Sequence, residues 1–412
     1  MSCCSSSPES SASSEDSATP ERVKRPPAPA IRSEEELIAW LRDSRAVPGR
    51  AVPGRAVPGR AGQIEALLLE SHPVYDGRGA AAVTRMRGWL LLALDELTPE
   101  ALPFVLEELE SSHDAYLTAA AAAVLRRSAP RAEWTQPLLS ALLYIRSRDD
   151  SVTLEAYGGY GVAGERTTAV AELLKTLEWL GPRARVALPR LRELRREVGP
   201  EASWSAALDR TIDVLESAEA ESCCAASKPA PASSAREIEG AADPSSLADL
   251  EFQDQDGAAV RFGDFLIGRP SLVVFFYTRC DNPTKCAMTV TRLGRAQRLL
   301  EEQGLSGAIR TAAITYDPGY DLPPRLKRYA EIWGARPAEN HRMLRLPEGF
   351  ERLRAHFDLG VNYVSSVVNR HQIEAYVLDA EGRVRHAATR RQWDEGELIA
   401  RASSLISHQL QT

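Results

Sequence analysis

The chain has 412 residues, of which 26% are charged and 44% hydrophobic, a composition typical of globular proteins. A single hydrophobic core rarely extends over so many residues, so more than one domain is expected. The net charge of −7 and the pI near 5.7 exclude a general attraction to nucleic acid phosphates. No stretch reaches the roughly 20 apolar residues that a transmembrane helix needs.

The first 32 residues are predicted to be a disordered tail. They are rich in Ser, Glu and Pro and contain almost no large apolar side chains, so burial cannot offset the cost of ordering them. Ser33 and Glu36 then form a capping-box pattern that predicts the start of a helix. The unit Arg-Ala-Val-Pro-Gly follows in tandem from Arg45 to Gly59, and its proline and glycine exclude both helix and strand.

Residues 33–218 are predicted to form an all-α domain of successive amphipathic helices, separated by breaks such as Gly181 and Gly199. Three helices carry an early proline and place leucines on one face, and the prolines are Pro103, Pro137 and Pro189. This pattern resembles the HEAT-repeat family, whose stacked helix pairs usually bind other proteins. A protein partner on these repeats and a purely structural helical domain both stay open as interpretations.

Gly159, Gly161 and Gly164 have the spacing of the glycine fingerprint that binds dinucleotides. That fingerprint requires a strand, a phosphate-binding turn, a helix and a second strand. The residues after Gly164 are instead predicted to stay helical as far as Leu180. The glycines are therefore interpreted as a flexible insertion between repeats.

Residues 219–246 are predicted to be a flexible linker, because Ala, Ser and Pro dominate its composition. The six cysteines of the chain fall into three close pairs, which are Cys3 and Cys4, Cys223 and Cys224, and Cys280 and Cys286. A secreted disulfide scaffold would instead scatter its cysteines through a small domain. The pairs are therefore expected to be reactive or metal-binding thiols. Cys223 and Cys224 are either a relay to the third pair or incidental.

Residues 247–412 alternate between strand and helix patterns, which predicts an α/β domain of the thioredoxin-like type. The predicted strands are Val260–Phe262, Leu272–Tyr277, Ile309–Thr315, Glu374–Asp379 and Val384–His386. The predicted helices begin at Thr289 or span Pro324–Trp333, Glu348–Phe357 and Asp394–Ile406. The last two strands are expected to form a hairpin that turns at Gly382.

Cys280 and Cys286 are the most informative residues of this half, because they lie in a short loop between a buried strand and a helix. The free N–H groups and the dipole at a helix N-terminus favour the thiolate form of a nearby cysteine. A thiolate attacks disulfides and binds soft metal ions. The loop is therefore predicted to be a redox or metal site.

Residues 246–406 resemble the SCO/SenC family of thioredoxin-like copper proteins. The resemblance rests on the strand and loop from Leu272 to Cys286, on the segment Ile314–Asp321 and on His371, which precedes the segment Ala375–Gly382. It implies that Cys280, Cys286 and His371 bind copper. The loop differs from that of the best-known members in having five residues between its cysteines, where those members have fewer, and in having Asp281 where a proline is common.

Two thiolates and one imidazole form a soft site of low coordination number, which suits Cu(I) and can hold Cu(II). His371 is predicted to lie in a polar loop, Ser365–Gln372, from which it reaches the cysteines. Asp317 and Asp321 are interpreted as residues that end a strand and cap a helix, rather than as metal ligands.

The leading hypothesis is therefore a copper-binding thiol-redox protein that assists copper delivery to, or thiol reduction of, a cytochrome c oxidase copper centre. Its partners would be an oxidase subunit or a thioredoxin-like reductant. The alternatives are a metal-free thiol–disulfide oxidoreductase or peroxide-reducing redoxin, and a protein-interaction scaffold that acts through the helical repeats.

Two predictions of localisation stay open. The resembling family usually works outside the cytoplasm behind a membrane anchor, which implies the periplasm or cell envelope. The sequence begins without a recognisable signal peptide, which predicts a cytoplasmic protein if the start is correct. Cys3 and Cys4, followed by a serine-rich tether, resemble the mature end of a lipoprotein, which an upstream start would explain.

Overall fold

The computed structural model describes residues 29–43, 59–155, 157, 164–218, 236–238 and 242–409. Several predictions lie outside these residues. They concern most of the N-terminal tail, the tandem repeat, the glycines Gly159 and Gly161, and the cysteines Cys3, Cys4, Cys223 and Cys224. Below, the helical half means the described residues up to 218, and the C-terminal half means those from 236 onward.

The helical half is mostly α-helix, as predicted. Its helices are α1 Glu34–Asp43, α2 Arg60–Leu68, α3 Ala80–Leu92, α4 Leu102–Ser111, α5 Ala115–Leu125, α6 Thr135–Ile145, α7 Ala169–Leu180, α8 Leu188–Glu197 and α9 Ser205–Ser217. Ser33 caps α1 as predicted, since the N–H of Glu36 donates to Ser33 Oγ at 3.0 Å; the Glu36 carboxylate accepts from the N–H of Arg32 at 2.7 Å rather than from that of Ser33. The resemblance to HEAT repeats stays a prediction.

The prediction of an all-α domain is wrong at one place, where strands β1 Ser151–Thr153 and β2 Arg166–Thr168 form an antiparallel pair. β-branched Val and Thr residues dominate both strands and favour the extended backbone. Because the two strands pair directly and in antiparallel fashion, they are not the strand–helix–strand unit of a dinucleotide site. β2 leads straight into α7, whose first turn is capped by Thr168 through a 3.2 Å hydrogen bond from the N–H of Ala171.

Helix α5 lies at the centre of the helical half. Almost all of its residues are buried, and most of them are alanines. Small side chains let neighbouring helices approach closely, and at Gly88 of α3 a Cβ atom would lie only 2.1 Å from the ring of Tyr116. This close packing holds α3, α4 and α7 around α5 and so fixes the end of α4 that faces the C-terminal half.

The C-terminal half has an α/β arrangement, as predicted. Its strands are β3 Arg236–Glu237, β4 Glu251–Asp254, β5 Ala259–Arg261, β6 Ser271–Phe276, β7 Arg310–Thr315, β8 His341–Arg345, β9 Val361–Val364, β10 Val367–His371, β11 Glu374–Leu378 and β12 Val384–Thr389. Its helices are α10 Phe262–Leu266, α11 Met288–Glu302, α12 Pro323–Trp333, α13 Phe350–Phe357 and α14 Glu395–Gln409.

Eight of these strands form one mixed sheet in the order β3-β12-β11-β6-β7-β8-β4-β5. Strands β6, β7 and β8 are parallel, and β11 runs antiparallel to β6. β6 is buried along its whole length in the middle of the sheet, so the loop that follows it leaves from a rigid position. β3 lies within the segment predicted to be a linker, where it pairs with β12 and forms one edge of the sheet.

The sequence patterns missed strands β4 and β8 and the two-stranded hairpin β9–β10. β4 and β8 are short, and their apolar residues do not form a continuous run, so they lack the signal that identified β6. None of the described helices has both the length and the apolar character needed to cross a membrane.

Candidate metal centre

The cysteine loop begins where β6 ends and continues directly into helix α11. Cys280 lies in an irregular stretch, and Cys286 lies in a wide helical turn over Pro283–Ala287. Asn282 caps this turn, because its side-chain oxygen accepts from the N–H of Thr284 at 3.0 Å. The wide turn accommodates the long spacing between the cysteines, and it lets the helix begin immediately after Cys286.

Two aspartates fix the first part of the loop. Asp321 accepts hydrogen bonds from the N–H of Thr278, at 3.0 Å, and from the hydroxyl groups of Thr278 and Thr315. Asp317 accepts from Arg279, whose Nε lies 3.0 Å away. Both carboxylates are thus engaged by residues of the loop and the neighbouring strand. Their role in this structure is to hold the loop against the end of the sheet.

His371 is the last residue of strand β10, so the prediction that it lies in a polar loop is wrong. The strands β9 and β10 are joined by a tight turn at Ser365, whose φ of 56° is in the left-handed region. A turn of this kind is usually signalled by Gly, Asn or Asp, and serine gave no such signal. The hairpin places the buried His371 side chain beside the cysteine loop, as the sequence analysis expected.

The three side chains converge on one point. The Nε2 atom of His371 lies 3.5 Å from Cys280 Sγ and 3.5 Å from Cys286 Sγ. All three potential ligand atoms lie within 4.8 Å of one another, a separation at which a single metal ion could bind to all of them. Cys286 and His371 are buried, whereas Cys280 is half-buried. The site is therefore closed on one side and open on the side of Cys280.

The hydrogen bond at the other ring nitrogen of His371 fixes the tautomer. Nδ1 lies 2.8 Å from the carbonyl oxygen of Gln372, which can only accept a hydrogen bond. Nδ1 therefore carries the proton, and in the neutral ring the lone pair of Nε2 faces the two sulfur atoms. Tyr277 and Tyr316 pack against the ring, with centroid distances of 5.3 and 5.4 Å, and hold its orientation.

The pKa values of the two thiols are shifted in opposite directions. The hydrogen bond from Cys286 and the adjacent imidazole of His371 lower the pKa of Cys280 to about 3, although burial opposes this shift. Burial and the interaction with Cys280 raise the pKa of Cys286 well above its usual range. The thiolate form is therefore favoured at Cys280 over Cys286.

The helical half contacts this centre through a cluster of buried charges, here called the interface cluster. The helical half contributes Glu70, Arg87, Glu107 and Glu108, and the C-terminal half contributes Lys285, Arg370 and Arg390. The four residues from the helical half are three carboxylates and only one cation. The three cations from the C-terminal half therefore neutralise carboxylates that would otherwise be buried with insufficient positive charge.

The individual distances within the cluster are short. Arg390 donates to Glu70 at 2.7 and 3.0 Å and to Glu107 at 2.8 Å, and its guanidinium lies 4.0 Å from the ring centroid of Phe104. Burial by itself would raise the pKa of Glu70, but Arg390 and Arg87 hold it below the usual range. The carboxylates of Glu70 and Glu107 are therefore ionised and paired with cations at neutral pH.

A cavity of about 660 Å³ lies between the two halves and reaches the centre. Its lining includes Val83, Ser112 and His113 from the helical half and Cys280, Val367 and His371 from the C-terminal half. Cys280 is the half-buried residue of the three, so this cavity gives molecules in solution access to the centre.

Narrowing the cavity should slow access to Cys280. Ala81 is exposed and lines the cavity. In an Ala81→Trp variant, we expect a bulky maleimide to modify Cys280 at least about tenfold more slowly, while the small reagent iodoacetamide reacts at nearly the same rate. Mass spectrometry of the Cys280 peptide measures both rates. Val186→Trp is the control, because Val186 is 64% exposed and does not line the cavity.

The roles of Lys285 and Glu107 could not be predicted from the sequence. Both residues are buried and lie next to the centre, but they are 178 positions apart in the chain. A lysine between two cysteines and a glutamate on a helix are ordinary in any sequence. The one available signal was that Glu107 comes directly after the apolar residues of a leucine-rich helix.

Residues 241–407 match the SCO1/SenC family, in agreement with the resemblance predicted from the sequence. A search of curated proteins found no match. Among solved structures, a SCO1/SenC family lipoprotein from Bacillus anthracis is 20% identical, with 39% of this chain and 96% of that chain covered and a TM-score of 0.33. ScoI from Bradyrhizobium japonicum with copper bound is 19% identical over 38% and 96%, with a TM-score of 0.32. Yeast Sco1 is 22% identical over 39% and 92%, with a TM-score of 0.30.

Proposed function

We propose that the C-terminal half is a copper-binding thiol-redox domain in which Cys280, Cys286 and His371 are the metal ligands. The convergence of two sulfur atoms and one imidazole nitrogen within 4.8 Å carries this proposal. Soft sulfur ligands select Cu(I), and the imidazole allows Cu(II) to bind as well. The match of residues 241–407 to SCO1/SenC supports copper as the metal. The domain would assist copper delivery to, or thiol reduction of, a cytochrome c oxidase copper centre.

The three ligands have different roles in this proposal. Cys286 accepts a hydrogen bond from the N–H of Tyr277 at 3.4 Å and is buried, so it is the fixed ligand. His371 is held by its Nδ1 hydrogen bond and by two aromatic rings. Cys280 is the ligand that faces the cavity. An acceptor protein would therefore take over the copper ion by replacing Cys280 first, while the other two ligands still hold it.

A Cu(I) titration tests the proposal. The full-length reduced protein is titrated under anaerobic conditions against a competing chelator, in a background where Cys3, Cys4, Cys223 and Cys224 are replaced by serine. We expect one Cu(I) ion per chain, with affinity reduced more than about 100-fold by Cys280→Ser and more than about tenfold by His371→Ala. His356→Ala is the matched control, because His356 lies on α13, outside the centre. Weak binding that does not depend on His371 would contradict the proposal.

A second function, metal-free disulfide chemistry, is favoured by the opposite acidities of the two thiols. The Cys280 thiolate would attack a substrate disulfide, form a mixed disulfide and release the first substrate thiolate. Cys286, after losing its proton, would then attack Cys280 and release the second thiolate, leaving an oxidised Cys280–Cys286 pair that a thioredoxin-like protein reduces. If the wild type binds no copper and His371→Ala retains disulfide reductase activity, this second function is correct.

A further inference from the structure

The loop between the two cysteines contacts the end of helix α4. Two residues of this loop reach across. Lys285 Nζ lies 3.2 Å from Glu107 Oε1, and the side-chain amide of Asn282 donates to the carbonyl oxygen of Ser111. Glu107 and Ser111 are one helical turn apart on α4. One face of α4 therefore supports the loop at two points.

Lys285 also connects helix α4 to His371, the third residue of the centre. Its Nζ also donates to the carbonyl oxygen of His371 at 2.7 Å. Lys285 directly precedes Cys286 in the chain, so one ammonium group links the segment of one sulfur ligand to the backbone of the histidine ligand. Glu107, which is fully buried, provides the negative charge that makes the burial of this ammonium group favourable.

The helical half holds the histidine strand from the other side as well. Arg370 directly precedes His371, and its guanidinium pairs with Glu108 at 2.5 Å and lies 3.5 Å from Glu107. Glu107 thus contacts cations on both segments of the centre, the cysteine loop and strand β10. The Lys285 hydrogen bond is the polar contact that joins the backbone of His371 to the cysteine loop.

We propose that Glu107 is a positioning residue for the Cys280–Cys286–His371 centre and acts through Lys285, so that the helical half is a working part of the centre. This inference rests on the proposed function, because it assigns a role in setting the geometry of that site. Removing Glu107 would leave a buried ammonium group without its counter-charge. Lys285 would then turn away, and the carbonyl oxygen of His371 would lose its donor. The distance between the imidazole and the two sulfur atoms would no longer be fixed.

The test uses the full-length protein with Glu107→Gln, Lys285→Met and the double variant. Two quantities are measured: Cu(I) affinity, and the equilibrium between the reduced and oxidised Cys280–Cys286 pair in glutathione buffers. We expect Glu107→Gln to lower the affinity by about 10–100-fold. We also expect it to shift the thiol–disulfide equilibrium by about tenfold, which corresponds to about 30 mV. In the Lys285→Met background, Glu107→Gln should cause no further change, because the two residues act together.

Glu110→Gln is the matched control. Glu110 lies on the same helix and contacts the C-terminal half through Arg391 and the N–H of Gln392, but it touches no residue between the cysteines. Equal effects of Glu107→Gln and Glu110→Gln would overturn the inference, since contact between the halves would then suffice. If copper binds but neither quantity responds to Glu107→Gln, the inference also fails.

The thiol–disulfide equilibrium separates this inference from the proposed function. Should the wild type bind no copper, the proposed function fails. A shift in the equilibrium that is specific to Glu107 and absent in the Lys285→Met background would still support the positioning role.

Discussion

Replacing Arg390 by methionine should lower the free energy of unfolding by about 3–5 kcal/mol, because the substitution leaves the buried Glu70 without its main partner and the buried Glu107 with one cation fewer. Arg390 is 6% exposed and makes three short hydrogen bonds to Glu70 and Glu107, both of which are buried. Methionine retains the apolar part of the side chain against Phe104. The loss of stability therefore reflects the removal of the charge rather than a change in side-chain volume. Chemical denaturation of the full-length protein at pH 7 measures the effect.

A surface ion pair gives the control for this substitution. Lys327 and Asp256 are 2.8 Å apart, a distance similar to those in the interface cluster, but their side chains are 58% and 54% exposed. Lys327→Met should therefore change stability far less than Arg390→Met does. An effect of Arg390→Met as small as that of Lys327→Met would show that the two halves do not depend on the buried cluster.

The effect of Arg390→Met should also depend on pH in a defined direction. In the wild type the pKa of Glu70 is lowered, since Arg390 and Arg87 outweigh the effect of burial. A lowered pKa gives stability that is present above the unfolded-state value of about 4.3 and is lost as the pH falls through the folded-state value. Without Arg390, a buried carboxylate can become neutral at mildly acidic pH. The difference between variant and wild type should therefore be smaller at pH 4.5 than at pH 7.

The parts of the fold that the sequence predicted correctly are those with a strong local pattern. β6 is a continuous apolar run, and α12 has helical spacing between Pro323 and Gly334, where a glycine with positive φ ends it. The hairpin β9–β10 was missed because its turn at Ser365 lacks the usual turn residues, and its pairing depends on contacts made by the rest of the chain. Local propensity is a weak guide where tertiary contacts decide.

The metal centre was only partly predictable from the sequence. Cysteines and a histidine are rare, and their chemistry limits what they can do, so the resemblance to the SCO/SenC family could bring Cys280, Cys286 and His371 together as a hypothesis. Glu107 and Lys285 are common residue types whose roles arise only from burial and from a contact between segments far apart in the chain. Such roles depend on the folded environment rather than on sequence pattern.

The reaction rate of Cys280 with iodoacetamide should be nearly constant between pH 5 and pH 8. An ordinary cysteine with a pKa near 8.5 becomes about tenfold more reactive with each pH unit over most of this range, because only the thiolate reacts. The pKa of Cys280 is lowered to about 3 by the hydrogen bond from Cys286 and by His371, so Cys280 is already a thiolate at pH 5. Mass spectrometry of the Cys280 peptide from the metal-free, reduced protein gives the rate at each pH.

The shape of the profile, rather than a single rate, carries this prediction. A thiolate of low pKa is also a weaker nucleophile. At pH 7 we therefore expect Cys280 to react with iodoacetamide no faster than an ordinary cysteine does. Across the range from pH 5 to pH 8 the ordinary cysteine changes by about 10³-fold and Cys280 by less than about twofold. Cys286→Ala removes the largest cause of the low pKa and should restore a rise with pH. A wild-type profile that rises in parallel with that of free cysteine would mean that Cys280 is protonated at neutral pH. Copper and disulfide chemistry would then both require a proton to leave Cys280 first.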